Sequence, residues 1–192
     1  MSRYTPDEIL DLIIDSYMEA DEQAVCSAQP LTYFNACWPD MWVAETAYAE
    51  GDVTRPPTGN GQVYECTAGG TSGASEPPWG DTQDDEFSDG TVTWKTHDNY
   101  ALINAPIETE DKSKEDGDPD GRALVIAQRM GVTIHTDGTV SHTALIDNTE
   151  QKLKLATISS TSLEGDNTVI SGRTTLLHEL TVTVRDPAAP AA

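Results

Sequence analysis

The chain has 192 residues, enough for one ordinary domain or two small ones, and 37% of them are hydrophobic, enough for a core. The formal net charge of -22 would repel nucleic-acid phosphates and anionic lipids, so we expect neither nucleic acid nor membrane as a direct partner. The charge favours solubility, and it leaves open a basic partner or a bound cation.

The N-terminal residues lack the apolar core of a signal peptide, and no apolar run approaches the length of a membrane span. We therefore expect synthesis and folding in a cytoplasm. Three cysteines (Cys26, Cys37 and Cys66) form no Cys-x-x-Cys pair and match no zinc spacing. They are expected to be reduced and mostly buried.

A helix is predicted over residues 5–21. Thr5 is a good N-cap, Pro6 fits the first helical position, and Glu8 completes a capping box. Apolar residues from Ile9 to Met18 form a broad stripe at helical spacing. The predicted solvent-facing side carries Asp7, Asp11, Asp15 and Glu19.

The composition changes between residues 38 and 97. This segment holds all four tryptophans and two turn pairs, Asn60-Gly61 and Asp89-Gly90. The stretches "GQVYECT" and "GTVTWKT" alternate in a way that predicts short strands in β-hairpins. A small, aromatic-rich β module is therefore predicted.

Residues 98–186 are predicted to be rich in β structure, with a polar, acidic loop at 104–121 whose most acidic part is 108–120. Asp137-Gly138 lies between two alternating runs and predicts a hairpin, in which His142 would face Thr133 across the ladder. A single closing strand is predicted to bury one face, formed by Leu176, His178, Leu180, Val182 and Val184. The tail, 187–192, is expected to be flexible.

The simplest architecture combines these elements in one α+β, mostly β host. The host consists of 1–37, with the helix and first strand, and 98–186, the β-rich remainder. Its helix would pack on an antiparallel β sandwich or barrel. The module at 38–97 would be inserted where a surface loop stood.

The sequence contains only weak indications of a metal site or an active site. "DGDPDG", from Asp116 to Gly121, imitates the start of an EF-hand loop, but Ala127 stands where calcium requires a glutamate. We interpret the segment as a solvated turn and keep a weak cation site as the alternative. His135, His142 and His178 are interpreted as core or interface residues rather than metal ligands. No catalytic fingerprint occurs, so we expect neither an enzyme nor a cofactor.

The segment "WVAETAYAEGDVTRP", with "NGQVYECTAGGTSGASEPPW" and "DGTVTW", resembles the chitin-binding type 3 family of carbohydrate-binding modules. The resemblance implies framework roles for Trp42, Tyr48, Gly51, Asp52 and Tyr64. The family's sugar-binding aromatic pair usually follows the second strand, where this chain has Thr67, Ala68 and Gly69. Two readings remain: framework alone, or framework with weak glycan contact through Trp79 or Trp94.

A second resemblance covers most of residues 20–187. The pattern "AVCSAQPLTYFNA", then "DGRALVIAQRMGVTIHTDGTVSHTALID", "GDNTVI" and "LTVTVRDP", is similar to a family of small virion proteins of tailed bacteriophages. The resemblance implies a non-enzymatic structural protein on the exterior of the virion, as a capsid decoration protein and homo-oligomer that contacts a major capsid or tail protein. The alternatives are a neck, tail or fibre component and a glycan-binding adhesin for the host envelope.

Overall fold

The computed structural model describes residues 7–117, 121–158 and 167–185. These ranges contain one α-helix, α1 (Asp7–Met18), and two 3₁₀ helices (Tyr33–Asn35 and Thr109–Asp111). The strands are β1 (Glu22–Cys26), β2 (Ala47–Tyr48), β3 (Val53–Thr54), β4 (Gln62–Ala68), β5 (Gly70–Thr71), β6 (Glu86–Asp89), β7 (Val92–Asp98), β8 (Ala101–Pro106), β9 (Lys112–Asp116), β10 (Arg122–Ile126), β11 (Arg129–Thr133), β12 (Gly138–Thr139), β13 (His142–Asp147), β14 (Lys152–Ile158), β15 (Thr168–Val169), β16 (Thr174–Leu177) and β17 (Leu180–Val184).

The predicted fold class is confirmed. Of the described residues, 47% are in β structure, the strands form several antiparallel sheets, and one helix lies near the N-terminus. None of the sheets formed by the described residues closes into a barrel. The predicted tail, 187–192, lies outside the described residues.

The central sheet of the host has the order β14-β13-β1-β8, and β1 is buried on both of its faces. Successive side chains of a strand point to opposite faces. Ala24 and Cys26 therefore join a cluster with Tyr33, whereas Val25 joins a different cluster with Leu102. The host core consequently lies on both sides of this sheet.

A second host sheet, β17-β10-β9, carries the helix. Ile14 of α1 is fully buried in a cluster with Leu124 and Ile126 of β10, and Leu180, Val182 and Val184 of β17 pack against the same cluster. Helix-on-sheet packing was expected. The helix ends at Met18 rather than at the predicted residue 21, and the predicted start at Thr5 and Pro6 lies outside the described residues. The backbone N–H of Asp21 donates to Ile146 O at 3.0 Å, which draws the chain into the sheet.

The acidic side of α1 is exposed at Asp15 and Glu19, as predicted, but its carboxylates also pair with cations of the host. Asp11 accepts a hydrogen bond from Arg122 Nε at 2.8 Å, and Asp15 Oδ1 lies 2.7 Å from Lys114 Nζ, so both carboxylates pair with cations of β9 and β10. The apolar stripe is wider than the surface that the sheet can cover. Three of its side chains are exposed and form what we call the α1 ridge: Ile9 (49% exposed), Leu12 (68%) and Ile13 (38%).

The segment 104–121, predicted as an acidic loop, is in part strand, since residues 104–106 complete β8. Residues 112–116 form β9 and pair with β10 in an antiparallel ladder. The prediction was wrong because charged side chains there find partners on α1 and at its C-terminal end. Lys112 Nζ donates to the carbonyl oxygens of Met18 and Ala20 at 2.7 and 2.8 Å, and Lys114 pairs with Asp15.

The predicted module contains its own four-stranded antiparallel sheet, β3-β4-β7-β6. The strands predicted from "GQVYECT" and "GTVTWKT" are β4 and β7, and they are hydrogen-bonded to each other. Asp89-Gly90 joins β6 to β7, so the predicted turn is confirmed. Strand β6 was not anticipated, because its residues, "EFSD", are mostly polar.

The hairpin predicted at Asp137-Gly138 does not form. Strand β11 pairs with β16, β12 pairs with β15, and β13 pairs with β1 and β14. His142 therefore lies opposite Cys26 and Ile158 rather than Thr133. Long-range partners override the local turn signal, and Asp137 Oδ1 accepts a hydrogen bond from Ser171 N instead.

The predicted closing strand is two strands, β16 and β17, which belong to different sheets. Leu177, not Leu176, is fully buried, and it lies in the cluster of Val25. The chain breaks at His178-Glu179 because it must leave one cluster and enter the other. The common face predicted for Leu180, Val182 and Val184 is confirmed by their packing in the α1 cluster.

The module and the host meet through packed side chains. Phe34 stacks on His97 with ring centroids 3.8 Å apart, and Trp38 stacks on His135 at 4.5 Å. Val63 of β4 is buried in the host cluster that contains Tyr33. The two chain connections of the module are adjacent, since the side chain of Asn99 donates to Cys37 O at 2.8 Å.

Candidate functional site

The aromatic residues of the module form one cluster. Trp42, Tyr64 and Trp94 are buried in it, together with Cys66 and Val92. Tyr48, Trp79 and Phe87 pack against them from the partly exposed side. The rings meet mostly edge to face, with centroid separations of 4.5–6.1 Å, the range that aromatic pairs prefer.

A buried carboxylate holds this cluster together. Asp89 is 5% exposed, and its Oδ2 accepts hydrogen bonds from the indole nitrogens of Trp42 at 2.8 Å and Trp94 at 3.3 Å. Its Oδ1 accepts a third bond, from Gly73 N, at 2.8 Å. Sequence reasoning recognised Asp89 only as a turn residue. Two buried tryptophans whose N–H groups need acceptors were the signal that could have identified it.

The other predicted framework residues also make structural contacts. The Tyr64 hydroxyl donates to Gly80 O at 2.5 Å and accepts from Asn60 Nδ2 at 2.7 Å. The Tyr48 hydroxyl accepts from Val43 N at 2.8 Å. These bonds tie the loops on both sides of β4 to the cluster.

Gly51 and Asp52 form the turn before β3. Gly51 has φ of +90°, which a residue with a side chain rarely adopts, and its N–H donates to Cys66 O at 2.8 Å. Asp52 Oδ2 accepts a hydrogen bond from Ala49 N at 2.7 Å, closing the turn. The contacts of both residues are those of a framework turn.

The two predicted glycan contacts differ in accessibility. Trp94 has no exposed surface, so it offers no ring face to a sugar, and the expectation for Trp94 does not agree with the folded module. Trp79 is partly exposed, and its indole N–H donates to Glu76 Oε1 at 2.7 Å. Of the pair, Trp79 alone can reach a ligand.

A second polar cluster lies in the host, around Lys154. Its ammonium is 2.6 Å from Glu19, 3.3 Å from Asp147 and 3.6 Å from Glu150, and its side chain is only 7% exposed. Lys154 is the extra residue of a β-bulge, because Leu155 and Leu153 pair with the consecutive residues 145 and 146. The bulge places the ammonium among the three carboxylates.

The charges in this cluster stabilise one another. The hydrogen bond to Glu19 raises the pKa of Lys154 above its usual value. Burial opposes ionisation of Asp147, but hydrogen bonds from the backbone of Glu150 and from Lys154 outweigh it and lower the pKa of Asp147. The three carboxylates are the one group in the described residues with the spacing of metal ligands, and the ammonium already neutralises part of their charge.

The Lys154 cluster forms one wall of an open groove of about 620 Å³. The groove runs between the end of α1 and the start of β14, and its lining includes Ser16, Leu31, Tyr33 and Leu153. Leu31 is 75% exposed there. The groove and the α1 ridge are neighbours on the same side of the host, because Ser16 follows Leu12 by one helical turn.

The predicted histidine and calcium motifs do not assemble into a metal site in the described residues. His135 stacks on Trp38, while His142 Nδ1 lies 2.8 Å from Ser141 Oγ. His178 is partly buried between β16 and β17. Residues 118–120 of the "DGDPDG" segment lie outside the described residues, and the flanking elements are strands rather than the helices of an EF-hand.

The three cysteines are free and buried, as expected. Burial raises the pKa of the Cys26 thiol to about 12 and also raises the pKa of Cys37. Reactive cysteines need a thiolate, so both thiols are inert near neutral pH.

No protein-family model, curated protein or solved structure matches the chain. Within the described residues, no helix combines the length and the apolar character needed to cross a membrane.

Proposed function

We propose that the chain is a non-enzymatic structural protein of a tailed-bacteriophage virion that decorates the exterior of the capsid. The resemblance of most of residues 20–187 to small virion proteins supports this proposal, and so does the charge of -22, which suits a surface kept away from packaged DNA. The host would dock on the particle, and the aromatic module would project from it.

The distribution of exposed apolar side chains carries the proposal. Nine large apolar residues of the described chain are exposed, and seven belong to the host: Ile9, Leu12, Ile13, Leu31, Met130, Ile158 and Ile170. Ile9, Leu12 and Ile13 are neighbours on α1, and contiguous exposed apolar side chains mark interaction surfaces. The module exposes only Met41 and Val43, so docking through the host is favoured.

The connections of the module support its projection. Its six strands, β2 to β7, pair only with one another in the described structure, and its two chain ends meet at the bond from Asn99 to Cys37. The aromatic cluster, tied by Asp89, gives it a small core of its own. The module can therefore project from the host, while contacts of Phe34 with His97, Trp38 with His135 and Gln151 with Gly51 fix its base.

Self-association of the host is also part of the proposal. Among the described residues, strand β14 is an edge of the central sheet, and it ends at Ile158, which is 75% exposed. Unpaired edges are templates for pairing with another chain. A homo-oligomer that uses this edge would assemble more strongly as salt screens the net charge.

Copy number in purified particles tests the proposal. Quantitative mass spectrometry of virions should find the chain in the hundreds, because a decoration protein repeats with the icosahedral capsid. About six or twelve copies would instead identify a neck or tail component, following the rotational symmetry there. Absence from particles, together with retention on a glycan array, would refute the virion role and favour an adhesin.

A further inference from the structure

The α1 ridge has the spacing of a helix that binds in a groove. Ile9, Leu12 and Ile13 occupy positions i, i+3 and i+4, the anchor positions of amphipathic helices laid in an apolar groove. All three are exposed, whereas Leu10 and Ile14, on the adjoining side of α1, are buried in the host. Helix α1 therefore has two apolar sides, one packed in the host core and one exposed.

Acidic residues border the ridge. Glu8 is exposed, and the side chains of Asp15 and Glu19 are 54% and 61% exposed. Helix α1 contains no lysine or arginine, and the cations that pair with its carboxylates, such as Lys114, come from the host strands behind it. A partner approaching the ridge would therefore meet apolar side chains with negative charge along one side.

We propose that the α1 ridge docks into an apolar groove with a lysine- and arginine-rich rim on the particle protein to which the chain attaches. This inference rests on the proposed function and names the docking element and the chemistry of its partner. Apolar anchors would supply affinity, and the basic rim would complement the acidic border and steer association.

A second copy of the chain fits the ridge poorly. In a two-fold dimer each surface meets its own copy, so Glu8, Asp15 and Glu19 would face the same patch of acidic residues. Like charges opposed across an interface disfavour the contact, and each copy adds a further charge of -22. Charge complementarity therefore selects a basic partner for this surface.

Re-binding of the purified full chain to particles that lack it tests the inference. Two variants probe the ridge: Leu12→Ser removes the most exposed anchor, and Glu8→Lys reverses the acidic border. Val43→Ser and Glu86→Lys are matched controls at exposed positions of the module, away from α1 and from the proposed docking side. Circular dichroism confirms that each variant is folded.

We expect Leu12→Ser to weaken particle binding by about tenfold or more and Glu8→Lys to weaken it severalfold, with both controls at wild-type affinity. Wild-type binding should fall as salt rises from about 0.05 M to about 0.5 M, since screening weakens the attraction to a basic rim.

Three outcomes would overturn the inference. Wild-type affinity of Leu12→Ser would place docking elsewhere on the host and leave the virion role intact. Binding that strengthens with salt would exclude a basic rim, and a wild-type dimer in sedimentation that Leu12→Ser abolishes would make a second copy the occupant. Failure of the wild-type chain to bind particles at any salt would instead reject the virion role, and the inference with it.

Discussion

Asp89→Ala should destabilise the aromatic module strongly. The change removes the acceptor of two indole N–H groups and of the Gly73 N–H, and it leaves Trp94, which is fully buried, without its hydrogen bond. A buried donor left unsatisfied costs about 1–3 kcal/mol, and hydrogen bonds to charged acceptors lie in the upper part of that range. Because the three bonds share one carboxylate and are not additive, we expect a loss of about 3–5 kcal/mol.

Urea unfolding followed by tryptophan fluorescence measures this loss, since all four tryptophans lie in residues 38–97. Asp89→Asn keeps the shape of the side chain but places an amide N–H against one of the three donors. It should therefore restore only part of the free energy of unfolding that Asp89→Ala loses. Asp81→Ala, at an exposed position, is the control. A loss below about 1 kcal/mol for Asp89→Ala would refute the role of this carboxylate as the centre of the cluster.

Three further changes test other parts of the structure. Trp42→Ala should lower the free energy of unfolding by roughly 3–5 kcal/mol in the same urea assay. Trp79→Ala should instead abolish any retention on a chitin column. If only Trp42→Ala loses sugar binding, these two roles are reversed. Gly90→Ala should lower the free energy of unfolding by at least about 1 kcal/mol. The reason is that φ at this position is +62° and the new Cβ would lie 2.3 Å from a backbone oxygen. An unchanged melting temperature would contradict this expectation. Lys154→Met should cost about 3 kcal/mol at pH 7. The lowered pKa of Asp147 contributes stability that is present above the usual carboxyl pKa and is lost as pH falls through the folded-state value. The acid-unfolding midpoint of Lys154→Met, measured by circular dichroism, should therefore move to higher pH, and an unmoved midpoint would contradict the pairing.

The sequence was sufficient for the local structure of the module. Alternation in "GQVYECT" and "GTVTWKT" predicted β4 and β7, and Asp89-Gly90 predicted the turn before β7, because period-2 patterns and turn chemistry are encoded by neighbouring residues. The concentration of aromatic residues likewise indicated a compact cluster. The carboxylate at its centre was not predicted, because nothing local to Asp89 shows that Trp42, 47 residues earlier, donates to it.

The sequence by itself determined the fold class, the helix near the N-terminus and the aromatic cluster, since these follow from composition and short-range periodicity. Tertiary structure alone decided the strand partners. No hairpin forms at Asp137-Gly138, because β11 pairs with β16 and β12 pairs with β15. The single closing strand predicted through His178 is two strands, β16 and β17, in different sheets. Tertiary structure also decided which side of α1 is free. The apolar stripe wraps further around the helix than one sheet can cover, and the pairing of Asp11 and Asp15 with cations of β9 and β10 turns Leu12 toward solvent.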